Sequence, residues 1–193
     1  MKTLYMMRHG QTLFNKQSKI QGYCDSPLTQ LGIEQAKIAG SYFKRNNIKI
    51  DAAYSSTSER ASDTLELVMS IPYTRVKNLK EWNFGDLEAE GEHLNPPLPY
   101  GNFFTQFGGE SELDVRNRLN QVMINIAEND PSNSILVVSH GGSMAQFLRN
   151  WEENSPVKRT GKIQNCSIFK FEYEHEKFSL VEIIEHDFST LLI

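Results

Sequence analysis

An α/β fold, a three-layer sandwich with a mostly parallel central sheet and helices on both faces, is the architecture this sequence predicts. Short runs of β character at 3–7, 51–55 and 134–139 alternate with stretches whose apolar residues recur at three- and four-residue steps. The runs at 3–7 and 134–139 are mostly apolar, as strands covered on both faces are. Both lead straight into histidine and glycine, at the edge where open α/β sheets hold their sites.

Residues 3–7 read as a central strand that delivers Arg8-His9-Gly10 into a polar loop. That loop runs through Gln11 to Asn15 and Gln21 to Pro27, with room for a helical turn. Thr29 then N-caps a helix to about Arg45, where Ala36, Ala39, Gly40 and Phe43 form a small face suited to close packing on a sheet. Asp51 to Ser55 is a short strand. Ser56-Thr57-Ser58 caps a second helix, with Arg60 in its first turn and Ala61, Leu65, Val68 and Met69 on one side. Pro72 ends that segment, and 74–79 read as a further strand before Glu81-Trp82-Asn83-Phe84-Gly85.

Residues 89–109 differ from their surroundings, with Pro96, Pro97, Pro99 and several glycines among Tyr100, Phe103, Phe104 and Phe107. They read as an aromatic cover loop, since a long segment without regular structure in a compact domain is usually functional; a flexible surface excursion is the alternative. Ser111 with Asp114 forms a capping box for a long helix striped by Val115, Leu119, Val122, Met123 and Ile126. After a turn at Asn129 to Asn133, Ser134 to Ser139 is the clearest strand, and His140-Gly141-Gly142 opens a helix through about Asn150. Residues 166–173 and 177–184 alternate as a closing hairpin around Glu174-His175-Glu176.

The chain has 193 residues, 39% hydrophobic and 23% charged, which suits one domain spanning 1–193. A formal net charge of −4, with lysines and arginines scattered, gives no reason to expect a nucleic-acid partner. No apolar run approaches a membrane span, and Met1-Lys2-Thr3-Leu4 leads into a strand instead of a signal core, so a cytoplasmic protein without a membrane partner is expected. Cys24 and Cys166 show no metal-ligand or disulfide spacing, and both read as reduced and structural. The sequon at Asn165-Cys166-Ser167 has no consequence without secretion. Oligomeric state is not legible.

A parallel sheet brings Arg8-His9-Gly10, the Ser55 to Arg60 segment and Ser139-His140-Gly141-Gly142 to one edge. Two arginines there can neutralise a dianion, and glycines and helix N-termini near 58 and 142 let backbone N–H groups approach it. The ligand so described is a phosphoryl group. A neutral imidazole in line with phosphorus can attack it to form a phosphohistidine, and the arginine charges oppose protonation of that imidazole. The leaving oxygen needs an acid, for which Glu81, flanked by Trp82 and Phe84, is the candidate. Taken singly, each of these residues has a plainer reading: Arg8 or Arg60 as an ion-pair residue, His140 as a core histidine, Glu81 as a solvated loop glutamate. His93, His175 and His186 stand at no strand end and keep the plain reading. A metal held by His9 and His140 is disfavoured by the arginines and the lack of a carboxylate or cysteine pattern, so no metal or cofactor is expected.

Together these motifs resemble the histidine phosphatase superfamily, the phosphoglycerate mutase-like proteins. The resemblance covers most of the chain: Arg8-His9-Gly10-Gln11-Thr12 with Asn15, Gly22 through Ala36, Ser55-Ser56 with Arg60-Ala61 and Thr64, Leu79 with Glu81 and Phe84-Gly85, and Val138 through Gly142. It implies that His9 is the phosphorylated nucleophile, that Arg8, Arg60, His140 and Gly141 complete the phosphate pocket, and that Glu81 donates the proton. It also implies Asn15 as a phosphate contact, Gln21 and Gly22 at the entrance, and catalysis without metal. One departure is Ala89, where relatives often carry glycine, which affects the hinge of the cover.

The family holds both phosphatases and mutases. Its mutases generally carry longer insertions between the acid and the second histidine, and here the interval from Glu81 to His140 is short, which favours a phosphomonoester hydrolase acting on a small phosphorylated metabolite. A mutase-type phosphotransferase is the alternative, and a non-catalytic phosphate-binding scaffold a third reading. Phe103, Phe104 and Phe107 hint at a partly apolar leaving group.

Overall fold

The computed structural model describes residues 1–191, so the last two positions of the expected domain, Leu192 and Ile193, lie outside the described residues. Six strands form one sheet: β1 (Lys2–Arg8), β2 (Ala52–Ser56), β3 (Thr74–Val76), β4 (Ser134–Ser139), β5 (Ile168–Glu174) and β6 (Lys177–Ile184), in the order β3-β2-β4-β1-β5-β6. The first four are mutually parallel. The closing hairpin adds two antiparallel strands to make a mixed sheet, because a tight turn through His175 and Glu176, both at positive φ, can only return the chain antiparallel.

Side chains alternate across this sheet. Leu4, Met6, Ile135 and Val137 face one core, which α4 (Glu112–Asn129) and α5 (Gly141–Trp151) cover with residues such as Leu119, Met123 and Phe147. Tyr5, Met7, Leu136 and Val138 face the other, which α2 (Gln30–Arg45) and α3 (Glu59–Val68) cover with Ala36, Phe43 and Leu65. Each fully buried Leu or Met side chain stabilises this arrangement by about 1.5–3 kcal/mol. A short α1 (Leu13–Lys16) lies in the loop after β1, closed by a capping box between Thr12 and Asn15.

Caps fall where the sequence places them at Thr29, whose hydroxyl accepts from Gly32 N, and at Ser111, which exchanges hydrogen bonds with Asp114. Ser58 differs: its side chain makes no cap bond, and Asp25 Oδ2 accepts the Glu59 N–H instead at 2.5 Å. The strand expected over 74–79 is shorter, because a 3₁₀ turn at Lys77–Leu79 buries Leu79 and leaves its carbonyl to the Ser139 hydroxyl at 2.8 Å. Residues 89–109 hold 3₁₀ turns at Glu92–Leu94 and Phe103–Phe107. Among the described residues no helix is long and apolar enough to cross a membrane.

Candidate active site

Strand register builds the site. Arg8 pairs with Ser139, so His9 and His140 leave adjacent parallel strands at one level, with His9 N donating to Ser139 O at 3.1 Å. Their rings meet edge to face with centroids 5.2 Å apart. From the far side of β4, strand β2 brings Ser56 Oγ to 2.7 Å from His140 Nε2.

The His9 tautomer follows from its neighbour. Nδ1 lies 2.8 Å from the Gly10 carbonyl, which can only accept, so Nδ1 carries the proton and Nε2 keeps its lone pair. Arg60 Nε donates to that nitrogen at 3.3 Å. Burial, then Arg60, then Arg8 hold the His9 pKa well below its ordinary value. His140 is likewise held well down by burial and by Arg60, His9 and Arg8. The loop carrying His9 is pinned by Gly10 N donating to Thr64 Oγ1 at 3.0 Å and by Asn165 Nδ2 donating to His9 O at 3.0 Å.

Arg60 is 1% exposed, and its guanidinium donates to Gly22 O, Cys24 O and Asp25 Oδ1 at 2.8, 3.0 and 2.8 Å. Gly22 has to be glycine for this, since a Cβ there would lie 2.0 Å from Trp82 O. Arg8 Nη1 donates to Ile163 O at 2.6 Å, while its Nε is buried with no partner among the described residues. That bare donor is what an oxyanion would satisfy.

Glu81 is 7% exposed and lies on the N-terminus of α5. Its Oε2 accepts from Gly142 N at 2.8 Å; its Oε1 accepts from Ser143 N at 2.8 Å, Trp82 N at 2.9 Å and Ser143 Oγ at 3.1 Å. A Cβ on Gly142 would fall 2.7 Å from Oε1, so glycine there makes this seat possible. Arg118 buttresses the segment by donating to Lys80 O and Glu81 O while paired with Glu110.

A cavity of about 470 Å³ opens over this group, walled by Arg8, His9, Asn15, Gln21, Glu81 and Gly141 among the residues singled out in the sequence. Arg60, His140 and Gly22 are not in its wall; they lie behind it, Gly22 as a carbonyl holding Arg60. Gln21 is tied to Thr12 and Ser26, and Asn15 Oδ1 accepts from Thr12 N and Asn165 Nδ2. The cover aromatics differ from expectation. Phe103, Phe104 and Phe107 do not line the cavity; Trp82, Phe84, Leu98 and Tyr100 do. Phe104 is fully buried against Trp82, Phe84, Tyr100 and Phe103, so it is the core of the cover. Ser143, Asn165 and Arg118 carried no signal in the sequence, because each acts through a backbone group or carboxylate far away in the chain.

A sheet edge with two neutral histidines, two arginines and a seated carboxylate defines a phosphoryl-handling α/β protein. The chain belongs to the histidine phosphatase superfamily (branch 1), whose profile matches residues 4–186. It is 26% identical over 187 residues to the uncharacterized phosphatase PhoE of Bacillus subtilis, covering 93% of each chain. To a metal-independent phosphoserine phosphatase of Arabidopsis thaliana it is 29% identical, covering 86% of this chain and 74% of the relative. Among solved structures, a phosphoglycerate mutase from Bacillus anthracis superposes with a TM-score of 0.83 at 25% identity, over 93% of this chain and 91% of that one.

Proposed function

We propose that the protein is a metal-independent phosphomonoester hydrolase working through a phosphohistidine on His9. The observation that carries this reading is the His9 ring itself: Nδ1–H is committed to Gly10 O, Nε2 keeps a lone pair, and the imidazole is held neutral. Arg8 Nε and the Asn15 amide receive the phosphoryl oxygens from the cavity wall. Arg60 acts through its charge and its bond to His9, and a Ser56 hydroxyl donating to His140 Nε2 leaves His140 Nδ1–H for the same dianion.

As the phosphoryl group displaces the Arg60 Nε hydrogen bond, His9 Nε2 attacks phosphorus, the P–O bond to the alcohol breaks, and Glu81 gives its proton to the leaving oxygen. Oε2, with one donor against three on Oε1, has the free lone pair for that proton. Water then attacks the phosphohistidine, Glu81 takes its proton, and phosphate leaves with His9 restored. The similarity to a metal-independent phosphatase supports hydrolysis without metal. A phosphoglycerate mutase-type transferase is the second reading, favoured by the likeness to the Bacillus anthracis structure; the short interval between Glu81 and His140 speaks for hydrolysis.

The test is p-nitrophenyl phosphate hydrolysis with and without EDTA, beside His9→Ala. EDTA-resistant turnover that disappears in the variant is expected. Activity surviving in His9→Ala would overturn the mechanism, and isomerisation of phosphoglycerate without hydrolysis would select the mutase.

A further inference from the structure

A fully buried guanidinium needs compensation, and the carboxylate that pairs with Arg60, that of Asp25, is 28% exposed and screened by solvent. The other acceptors of the Arg60 Nη groups are two main-chain carbonyls, Gly22 O and Cys24 O. A loop carbonyl holds a cation only as firmly as its own peptide is held. Behind these peptides stands a second carboxylate, that of Glu88.

Glu88 closes a 3₁₀ turn at Gly85–Leu87, its N–H donating to Gly85 O at 3.0 Å. The residues after it are tied to Ile20, with Ala89 N donating to Ile20 O at 2.9 Å and Ile20 N donating to Glu90 O at 2.8 Å. From this fixed base Glu88 Oε1 accepts from Tyr23 N at 2.6 Å and from Phe84 N at 3.2 Å, while Oε2 accepts from Cys24 N. The Tyr23 N–H belongs to the same peptide unit as the Gly22 carbonyl. That unit therefore lies between Arg60 and Glu88, its oxygen on the cation and its hydrogen on the anion. The next unit repeats the arrangement, with the Cys24 N–H on Glu88 and Tyr23 O accepting from Lys80 Nζ at 3.3 Å. Opposite charges at the two ends polarise each peptide and strengthen both of its hydrogen bonds. The approach requires glycine, since a Cβ on Gly22 would fall 2.6 Å from Glu88 Oε1. With Nη1 and Nη2 committed to Gly22, Cys24 and Asp25, Nε is the part of the guanidinium turned to His9 Nε2. The same carboxylate holds Phe84 of the cavity wall, so Glu88 joins that wall to the seat of the arginine.

We infer that Glu88 is a positioning residue of the reaction: it fixes the peptides from Gly22 to Cys24 that hold Arg60, and so keeps Arg60 Nε at His9. Its consequence for turnover rests on the phosphohistidine reading above. The test is Glu88→Gln in the full chain. The amide has the same size and keeps one accepting oxygen for Tyr23 and Phe84, but it sets an NH2 group against the Cys24 N–H. The first readout is hydrogen exchange of the Arg60 Nε–H by NMR without substrate, the signal being assigned by its loss in Arg60→Met. The His9 backbone amide, bonded to Ser139 O, is the reference for general loosening. In Glu88→Gln the Arg60 signal is expected to exchange at least about tenfold faster, and the His9 amide to change by less than about twofold. The second readout is kcat/KM for p-nitrophenyl phosphate. Glu88→Gln should lower it about tenfold with Arg60 present and less than about twofold beside Arg60→Met, because a residue acting through Arg60 then has nothing left to act on. Unchanged exchange of the Arg60 signal, equal acceleration of both signals, or the same loss of kcat/KM in both backgrounds overturns the inference. If the unsubstituted chain hydrolyses no phosphomonoester, the hydrolase reading falls, and the exchange readout decides the role of Glu88 by itself.

Discussion

Arg60 Nε lies 3.3 Å from His9 Nε2, so the guanidinium that ties down Gly22, Cys24 and Asp25 behind the cavity wall is also a charge that keeps the imidazole unprotonated. Burial does more in that direction than the arginine does, and the two act together.

A pH dependence of stability follows. The unfolded chain takes up protons on His9 and His140 below their ordinary value of 6.5, whereas the native chain does not, because both folded pKa values are depressed. Stability is therefore highest above 6.5 and falls as the pH drops, by up to about 1.4 kcal/mol per pH unit for each histidine. Denaturant titrations across that window should show His140→Gln with the shallower slope. Identical slopes would contradict the neutral-imidazole assignment.

Glu81→Gln separates acid catalysis from binding. In the phosphorylation burst, before the water step that also uses Glu81, alkyl phosphates, whose leaving oxygen needs a proton, should slow about 10²–10⁴-fold. p-Nitrophenyl phosphate, with its stable leaving anion, should slow far less in that burst. A uniform slowing of the burst on both substrates would mean that Glu81 gives no proton to the leaving oxygen.

Asp25 is bound to α3 at two points, with Oδ1 2.8 Å from Arg60 Nη1 and Oδ2 accepting from Glu59 N at the start of the helix. Asp25→Ala removes the substitute cap and should cost about 1–2 kcal/mol in thermal or denaturant unfolding. It should also lower kcat/KM by about tenfold, as an Arg60 with one anchor fewer loses orientation. Asp25→Asn, which can still accept from Glu59 N, should restore most of the stability. Unchanged stability in Asp25→Ala would remove the capping role.

Ala89 sits at φ +69 while its N–H donates to Ile20 O at 2.9 Å. A Cβ in the left-handed region costs about 1 kcal/mol, offset in part by the greater freedom of glycine in the unfolded chain. Ala89→Gly should raise stability by about 0.5 kcal/mol, a shift of one or two degrees by calorimetry. A fall in the melting temperature would show the backbone strain to be unimportant.

Phe104 and Tyr100 should part company. Phe104→Ala opens a hole beneath the cover and should destabilise by about 3–5 kcal/mol. Tyr100→Ala alters the cavity wall and should raise KM more than it lowers the melting temperature. If Phe103→Ala or Phe107→Ala raised KM instead, the cavity wall would have to be redrawn.

Local pattern and strand order were enough to read the α/β layers, the caps at Thr29 and Ser111, the closing hairpin, and the meeting of His9, Arg60 and His140 at one edge. Those features depend on periodicities and on topology, which a linear sequence carries directly. The tertiary structure alone decided that Arg60 and His140 stand behind the cavity wall, that Asp25 caps α3, and that Phe104 is core while Tyr100 is lining. It alone brought the Ile163 carbonyl onto Arg8. Such facts depend on which atoms meet across long stretches of chain. Residue type constrains that weakly, since the same arginine or phenylalanine satisfies a surface, a core or a site until packing and buried hydrogen bonding select one.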